Sequence, residues 1–218
     1  MTQPSIGRTI RIGVDLDGVV TDFCKGFSEV LHDLYGDRMP IIKDHYSVKA
    51  WDWTSWYPAT HEEIRAAWEE TGRREAFWES LECVDPIGYQ NLLSNFNNPW
   101  NSRTNWEVYF LTNRTSRGTR YTLMHEACLW LEHRGWLRPQ VLCTPHKGLT
   151  AMVMGFNHFI DDNPGNCIEV ARISKGTKVY VRDWSYNRVL DLVEEDVTRV
   201  QDLSEFCERI LRAEYINE

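Results

Sequence analysis

At 218 residues, with 24 Lys and Arg against 32 Asp and Glu, the chain can hold one domain plus a sizeable insertion and carries a net charge of −8. That balance, with no long basic run, argues against duplex nucleic acid as the main partner. The start, Met1 to Arg11, lacks the apolar stretch of a signal peptide and no later stretch is long enough to span a bilayer, so a cytoplasmic protein without a membrane partner is expected. The cysteines (Cys24, Cys83, Cys128, Cys143, Cys167 and Cys207) are scattered without C-x-x-C spacing, which suits reduced thiols better than disulfides or a zinc site.

Along the chain, residues 9–14 read as a first strand and Phe23 to about Tyr35 as a helix, with Phe27, Val30, Leu31 and Leu34 on one side. The character then changes. Seven of the ten tryptophans (Trp51, Trp53, Trp56, Trp68, Trp78, Trp100 and Trp106) fall between here and the return to the sheet. Thr60-His61-Glu62-Glu63 is a capping-box pattern for a helix to about Glu70, which Thr71-Gly72 can stop. Asp85-Pro86 opens a second helix to about Ser94. Asn95 to Asn105 reads as a loop. Residues 36–105 are therefore expected to form a small helical cap, inserted into a core made of 1–35 and 106–218. After the return come a strand at 106–111 and a helix from about Thr119 to Arg134 closed by Gly135. Next are a strand at 141–143, a short helix after Lys147, a strand at 158–160 and a helix near Asn166–Ser174. Strands near 178–181 and 197–200 follow, and Asp202-Leu203-Ser204-Glu205 caps a final helix. Strands alternating with helices indicate the α/β class, a Rossmann-like doubly wound parallel sheet.

The chemistry is concentrated at strand ends. Ile12-Gly13-Val14-Asp15-Leu16-Asp17-Gly18 ends an apolar run on two acids that alternation sends the same way. Side by side they repel, so the pair needs a cation or a proton between them, and Gly18 lets the backbone turn close to whatever is bound. Three later runs also end in polar residues: Trp106–Leu111 before Thr112-Asn113-Arg114, Val141–Cys143 before Thr144-Pro145-His146-Lys147, and His158–Ile160 before Asp161-Asp162-Asn163. In open α/β sheets ligands bind outside the carboxyl ends of the strands, so these groups converge on one crevice.

In this order and setting the four segments resemble the motifs of haloacid dehalogenase-like phosphohydrolases, over about residues 9 to 190. The resemblance implies a magnesium-dependent phosphomonoesterase acting on a small phosphorylated substrate. Asp15 would be the nucleophile that forms an aspartyl-phosphate. Asp17 would protonate the leaving alkoxide and then activate water. Thr112, Asn113, backbone amides near Asp17 and Gly18, and Lys147 would contact the phosphoryl group, whose charge spreads over three oxygens. The implied Mg²⁺ ligands are the Asp15 carboxylate, the Asp17 carbonyl and one acid of the second pair, Asp161 before Asp162. Asp162 would otherwise orient water or Lys147. Arg114 stands where the nucleotidase branch commonly has a small residue, and either adds a phosphate contact or pairs with Asp22.

A looser resemblance, to the 5'(3')-deoxyribonucleotidase branch, rests on Asp17–Phe23, Phe77-Trp78-Glu79-Ser80-Leu81 and Tyr186-Asn187-Arg188. It implies a 5'-nucleotidase acting on (deoxy)nucleoside monophosphates. Aromatic cap residues would stack a base, with Phe23 the first candidate, although most of the tryptophans are expected to form the cap's own core instead. The alternatives are a phosphatase or phosphomutase for another small phosphoester on the same scaffold, or a non-catalytic phosphate-binding regulatory domain. The second is disfavoured because binding alone requires no nucleophile beside an acid. His146 is assigned no role, and His125-Glu126-Ala127-Cys128-Leu129 misses the metalloprotease pattern because Leu129 stands where the second histidine is required. Oligomeric state has no signature in the sequence.

Overall fold

A computed structural model describes residues 8–97, 104–114, 122–188 and 196–215. Six parallel strands, β1 (Thr9–Asp15), β2 (Asn105–Thr112), β3 (Gln140–Cys143), β4 (His158–Asp161), β5 (Lys178–Arg182) and β6 (Val197–Val200), form one sheet in the order β3-β2-β1-β4-β5-β6. The chain builds outward from β1 in one direction and then returns to its other side. The reversal between β1 and β4 is where a doubly wound sheet opens its crevice. Asp15 pairs with Leu111, and Val14 with Ile160, so the ends of β2 and β4 flank the end of β1.

Both faces of the sheet are covered, as its nearly continuous apolar strands require. Neighbours along a strand go to opposite sides: Phe110 joins the larger core, and Leu111 joins Phe159, Val170 and Val181 in the smaller one. Helices α6 (Lys147–Met154) and α7 (Pro164–Ile173) pack together beside the smaller core. The larger core takes in α1 (Phe23–Tyr35), α4 (Pro86–Phe96), α5 (Leu123–His133) and α8 (Leu203–Tyr215).

The local signals are realised in side-chain caps. Asp22 accepts the Lys25 amide at 3.0 Å at the start of α1. At α2 (His61–Thr71), Thr60 and Glu63 close a reciprocal capping box. Asp85 accepts the Gly88 amide at 2.8 Å before Pro86 in the first turn of α4. The short α3 (Phe77–Ser80) was not expected as a helix, because four residues carry no readable period. The helix read from about Thr119 begins at Leu123 within the described residues, 119–121 lying outside them, as does Trp100.

The 36–105 segment divides between two places. Val48, Trp51, Trp53, Ile64, Trp68 and Trp78 overlook the crevice. α4, expected in the cap, packs instead against α8 and β2. Asp85 ties it there, accepting the Leu203 amide at 3.0 Å and lying 3.5 Å from Arg182. Among the described residues no helix is long and apolar enough to cross a membrane.

Candidate active site

The loop after β1 is wound tightly. The Leu16 carbonyl accepts the amides of Val20 and Thr21, each at 2.8 Å, and Gly18 takes φ +78°, a left-handed conformation natural to glycine. A Cβ on Gly18 would lie 2.3 Å from Asp162 Oδ2, so glycine also lets the β1 loop touch the β4 end. The end of β5 pins the loop from outside: Trp184 Nε1, just beyond the strand, donates to the Gly18 carbonyl at 2.7 Å, and buried Arg182, its last residue, donates to the Val19 carbonyl.

A cavity of about 790 Å³ opens above this loop. Asp15, Asp17, Asn113, Arg114, Lys147, Asp161 and Asp162 share it with the aromatic wall of Phe23, Trp51, Trp53, Trp68 and Trp78. All the expected site residues meet here except Thr112, which is buried and not among the lining residues. Its hydroxyl accepts the Arg114 amide at 3.3 Å, behind the cavity wall.

Lys147, buried at the start of α6, joins two strand ends. Its ammonium donates to Asp15 and, at 2.6 Å, to Asp161. Burial opposes that charge, but Asp15 and Asp161 outweigh it and hold the ammonium above the ordinary lysine range. Asp161 is fully committed: Oδ1 takes the Asn163 amide at 2.8 Å, and Asn166 donates to both oxygens at 3.2 and 3.1 Å. Among the described residues no cation is bonded to Asp162. Tyr186 Oη donates to its Oδ2 at 2.5 Å.

Arg114 does not pair with Asp22. Its guanidinium grips Asp17 with Nε at 2.8 Å and Nη2 at 2.7 Å, donates to Thr21 at 3.0 Å, and lies 4.5 Å from the centre of the Trp78 ring. Nη1 is buried with no partner among the described residues. Asp22 is instead taken by the α1 cap and by His45 Nδ1 at 3.0 Å. Sequence reasoning gave no role to His45, Asn166, Arg182, Trp184 or Tyr186. Of these only Tyr186 carried a signal, as part of the Tyr-Asn-Arg stretch.

Around the strand ends four carboxylates (Asp15, Asp17, Asp161 and Asp162) thus cluster with two cations (Lys147 and Arg114). Burial first, and then the charge of Asp161, push the Asp162 carboxyl up to about 8. A carboxyl raised above its unfolded value of about 3.9 binds its proton more tightly in the folded chain. The folded state then holds more protons than the unfolded one between the two values. In the metal-free protein the contribution of Asp162 to stability is expected to fall as pH rises from about 4 to about 8. Thermal unfolding in chelator across that range checks this. Asp162→Asn should flatten the slope, and an equal slope in the variant would contradict the assignment.

Phe23 lies in the cavity wall with its ring stacked 5.0 Å from Trp68 and 5.8 Å from Trp78. Trp53 packs edge-on to Phe27 at 4.9 Å and serves the core as well as the wall. Trp51 and Trp68 are 58% and 44% exposed, so part of each ring borders the open cavity.

No protein-family model matches the chain, and no curated protein does. Solved structures do. A haloacid dehalogenase-like protein of unknown function from Agrobacterium tumefaciens superposes with a TM-score of 0.55 at 16% identity, covering 95% of this chain and 99% of that one. A hydrolase of the same family from Deinococcus radiodurans, with bound phosphate and sodium, gives 0.54 at 11% identity, over 95% and 97%. A subfamily IA hydrolase from Geobacter sulfurreducens gives 0.52 at 12% identity, over 94% and 97%. The chain has the haloacid dehalogenase-like hydrolase fold.

Proposed function

We propose that the protein is a magnesium-dependent phosphomonoesterase that works through an aspartyl-phosphate on Asp15, with (deoxy)nucleoside 5'-monophosphates as its substrates. The observation that carries this reading is the joining of the β1 and β4 ends by Lys147, which bonds Asp15 and Asp161, with a second acid, Asp17, two positions from Asp15 and four carboxylates gathered against two cations. An anionic phosphate enters such a site only if further positive charge accompanies it. Asp15, Asp161 and Asp162 offer oxygens within 4.8 Å of one another, a hard donor set that suits Mg²⁺. Because both oxygens of Asp161 are already engaged, the metal would be held by Asp15, the Asp17 carbonyl and Asp162 rather than Asp161. When bound, the cation supplies charge to neutralise the transferring phosphoryl group.

In the first half-reaction an Asp15 oxygen bonds to phosphorus as the ester oxygen leaves, and Asp17 gives that oxygen a proton. In the second, Asp17 takes a proton from water as its oxygen attacks phosphorus, releasing phosphate and restoring the Asp15 carboxylate. Lys147 fixes the Asp15 carboxylate and opposes the charge that builds on the phosphoryl oxygens. Arg114 occupies both oxygens of Asp17, so proton transfer requires that fork to open. The substrate phosphate is the anion that draws Arg114 away, and its unpartnered Nη1 is the first donor available to it. Asn113, exposed at the end of β2, adds a phosphate contact.

The wall of Phe23, Trp51 and Trp68 supports a planar leaving group, because stacking one base is worth about 1–3 kcal/mol. A panel of phosphorylated metabolites, assayed for phosphate release with and without Mg²⁺, tests the proposal. Nucleoside monophosphates are expected to exceed sugar phosphates in kcat/KM. In Phe23→Ala that ratio should fall roughly 5- to 150-fold, while simple phosphoesters hold their rates. Sugar phosphates outperforming every nucleotide would end the nucleotidase reading, and no release from any ester would end the phosphatase reading.

A further inference from the structure

Tyr186 and Asn187, just beyond β5, take no part in the chemistry above, yet both close on Asp162. Tyr186 Oη donates to Asp162 Oδ2 at 2.5 Å, while Asn187 Nδ2 donates to the Asp162 carbonyl at 2.8 Å. Asn187 is itself locked. The same Nδ2 donates to the Arg182 carbonyl at 2.7 Å, and its Oδ1 accepts from the Trp184 amide at 3.1 Å and from Arg199 at 2.7 Å. Two donated and two accepted bonds exhaust a carboxamide, so this side chain has one orientation.

The Tyr186 hydroxyl is equally constrained. His45 Nε2 stands 3.4 Å from Oη, and the other ring nitrogen of His45 is tied to Asp22 at 3.0 Å. The histidine ring also rests 4.2 Å from Trp184. On the opposite side Gly18 comes so close to Asp162 Oδ2 that a single added carbon would collide with it. The carboxylate is thus bounded by a tyrosine hydroxyl, a loop backbone and its own fixed carbonyl. Asp162 also offers an oxygen within 4.8 Å of oxygens of Asp15 and Asp161.

We propose that Tyr186 is a positioning residue: its hydroxyl occupies Asp162 Oδ2 and so aims Oδ1 at the divalent cation, while Asn187 fixes the backbone from which Asp162 projects. The proposal rests on the metal reading given under Proposed function. Partners that orient metal-binding carboxylates typically change metal affinity about 10- to 100-fold when removed. The tyrosine also reaches the segment that overlooks the cavity, since Trp51 lies edge-on to its ring at 5.7 Å.

Tyr186→Phe removes the hydroxyl and keeps the ring contacts with His45 and Trp51. Mn²⁺ is titrated into the wild type, Asp162→Asn and Tyr186→Phe, with the free ion read by electron paramagnetic resonance and folding checked by circular dichroism. The wild type is expected to bind one Mn²⁺, Asp162→Asn to lose the site, and Tyr186→Phe to bind about 10- to 100-fold more weakly while folded. Hydrolysis of p-nitrophenyl phosphate by Tyr186→Phe should then need more Mg²⁺ for half-maximal rate and return toward the wild-type kcat when saturated. A folded Tyr186→Phe with wild-type Mn²⁺ affinity would overturn the inference, as would a kcat deficit that excess Mg²⁺ leaves untouched. A wild type that binds no Mn²⁺ would instead remove the metal reading itself, so the two failures are separable.

Discussion

Asp15→Asn is expected to abolish phosphate release while leaving the chain folded. The carboxamide has the shape of the carboxylate but cannot supply an anionic oxygen to phosphorus. Loss of a covalent nucleophile costs on the order of 10⁴- to 10⁶-fold in turnover. Folding should survive because Lys147 keeps Asp161 as a partner at 2.6 Å, and one charge leaves a cluster in which carboxylates outnumber cations. Steady-state phosphate release and thermal unfolding, measured on the same sample, check both halves. A folded Asp15→Asn with near-wild-type turnover would exclude the aspartyl-phosphate route.

Lys147→Met should affect both activity and stability. The side chain is 3% exposed and is the cation bonded to both Asp15 and Asp161. Methionine fills much of the same volume but leaves two buried carboxylates without it. Breaking a buried ion pair by removing one partner typically destabilises by about 3–5 kcal/mol. Part of that loss should be recovered at low pH, where the carboxylates take up protons, and part on adding Mg²⁺, which replaces positive charge. Turnover should fall about 10²- to 10³-fold, the usual effect of losing one donor to developing oxyanion charge. Denaturant unfolding at several pH values, with and without Mg²⁺, separates these effects. A variant as stable as the wild type in chelator at neutral pH would contradict the bridging role assigned to Lys147.

Much of this site is legible in the sequence because its residues stand at strand ends, and strand ends announce themselves as apolar runs stopped by polar residues. Asp15, Asp17, Lys147 and the Asp161-Asp162 pair were all placed by that rule and by parallel topology. Helix starts were equally readable at Thr60 and Asp85, where the cap uses residues three apart. Contacts between distant segments were not. Arg114 meets Asp17 across 97 positions, His45 reaches Tyr186 across 141, and nothing in either neighbourhood specifies the partner. The different hydrogen-bond partners of Asp161 and Asp162 belong to the same class. Two adjacent acids look alike in sequence, and only the positions of Lys147, Asn166 and Tyr186 distinguish them. Helix α4 shows the limit of periodicity, which says that one face is buried but not that α8 buries it.

Fluorine NMR with beryllium fluoride tests the role of Asp15 most directly, because this phosphoryl mimic bonds to a carboxylate nucleophile and requires no knowledge of the substrate. With Mg²⁺ present, the wild type should show bound fluoride signals in slow exchange, and Asp15→Asn should show none. Bound signals that persist unchanged in Asp15→Asn, or a folded, Mg²⁺-loaded wild type that shows none, would contradict phosphoryl transfer to Asp15.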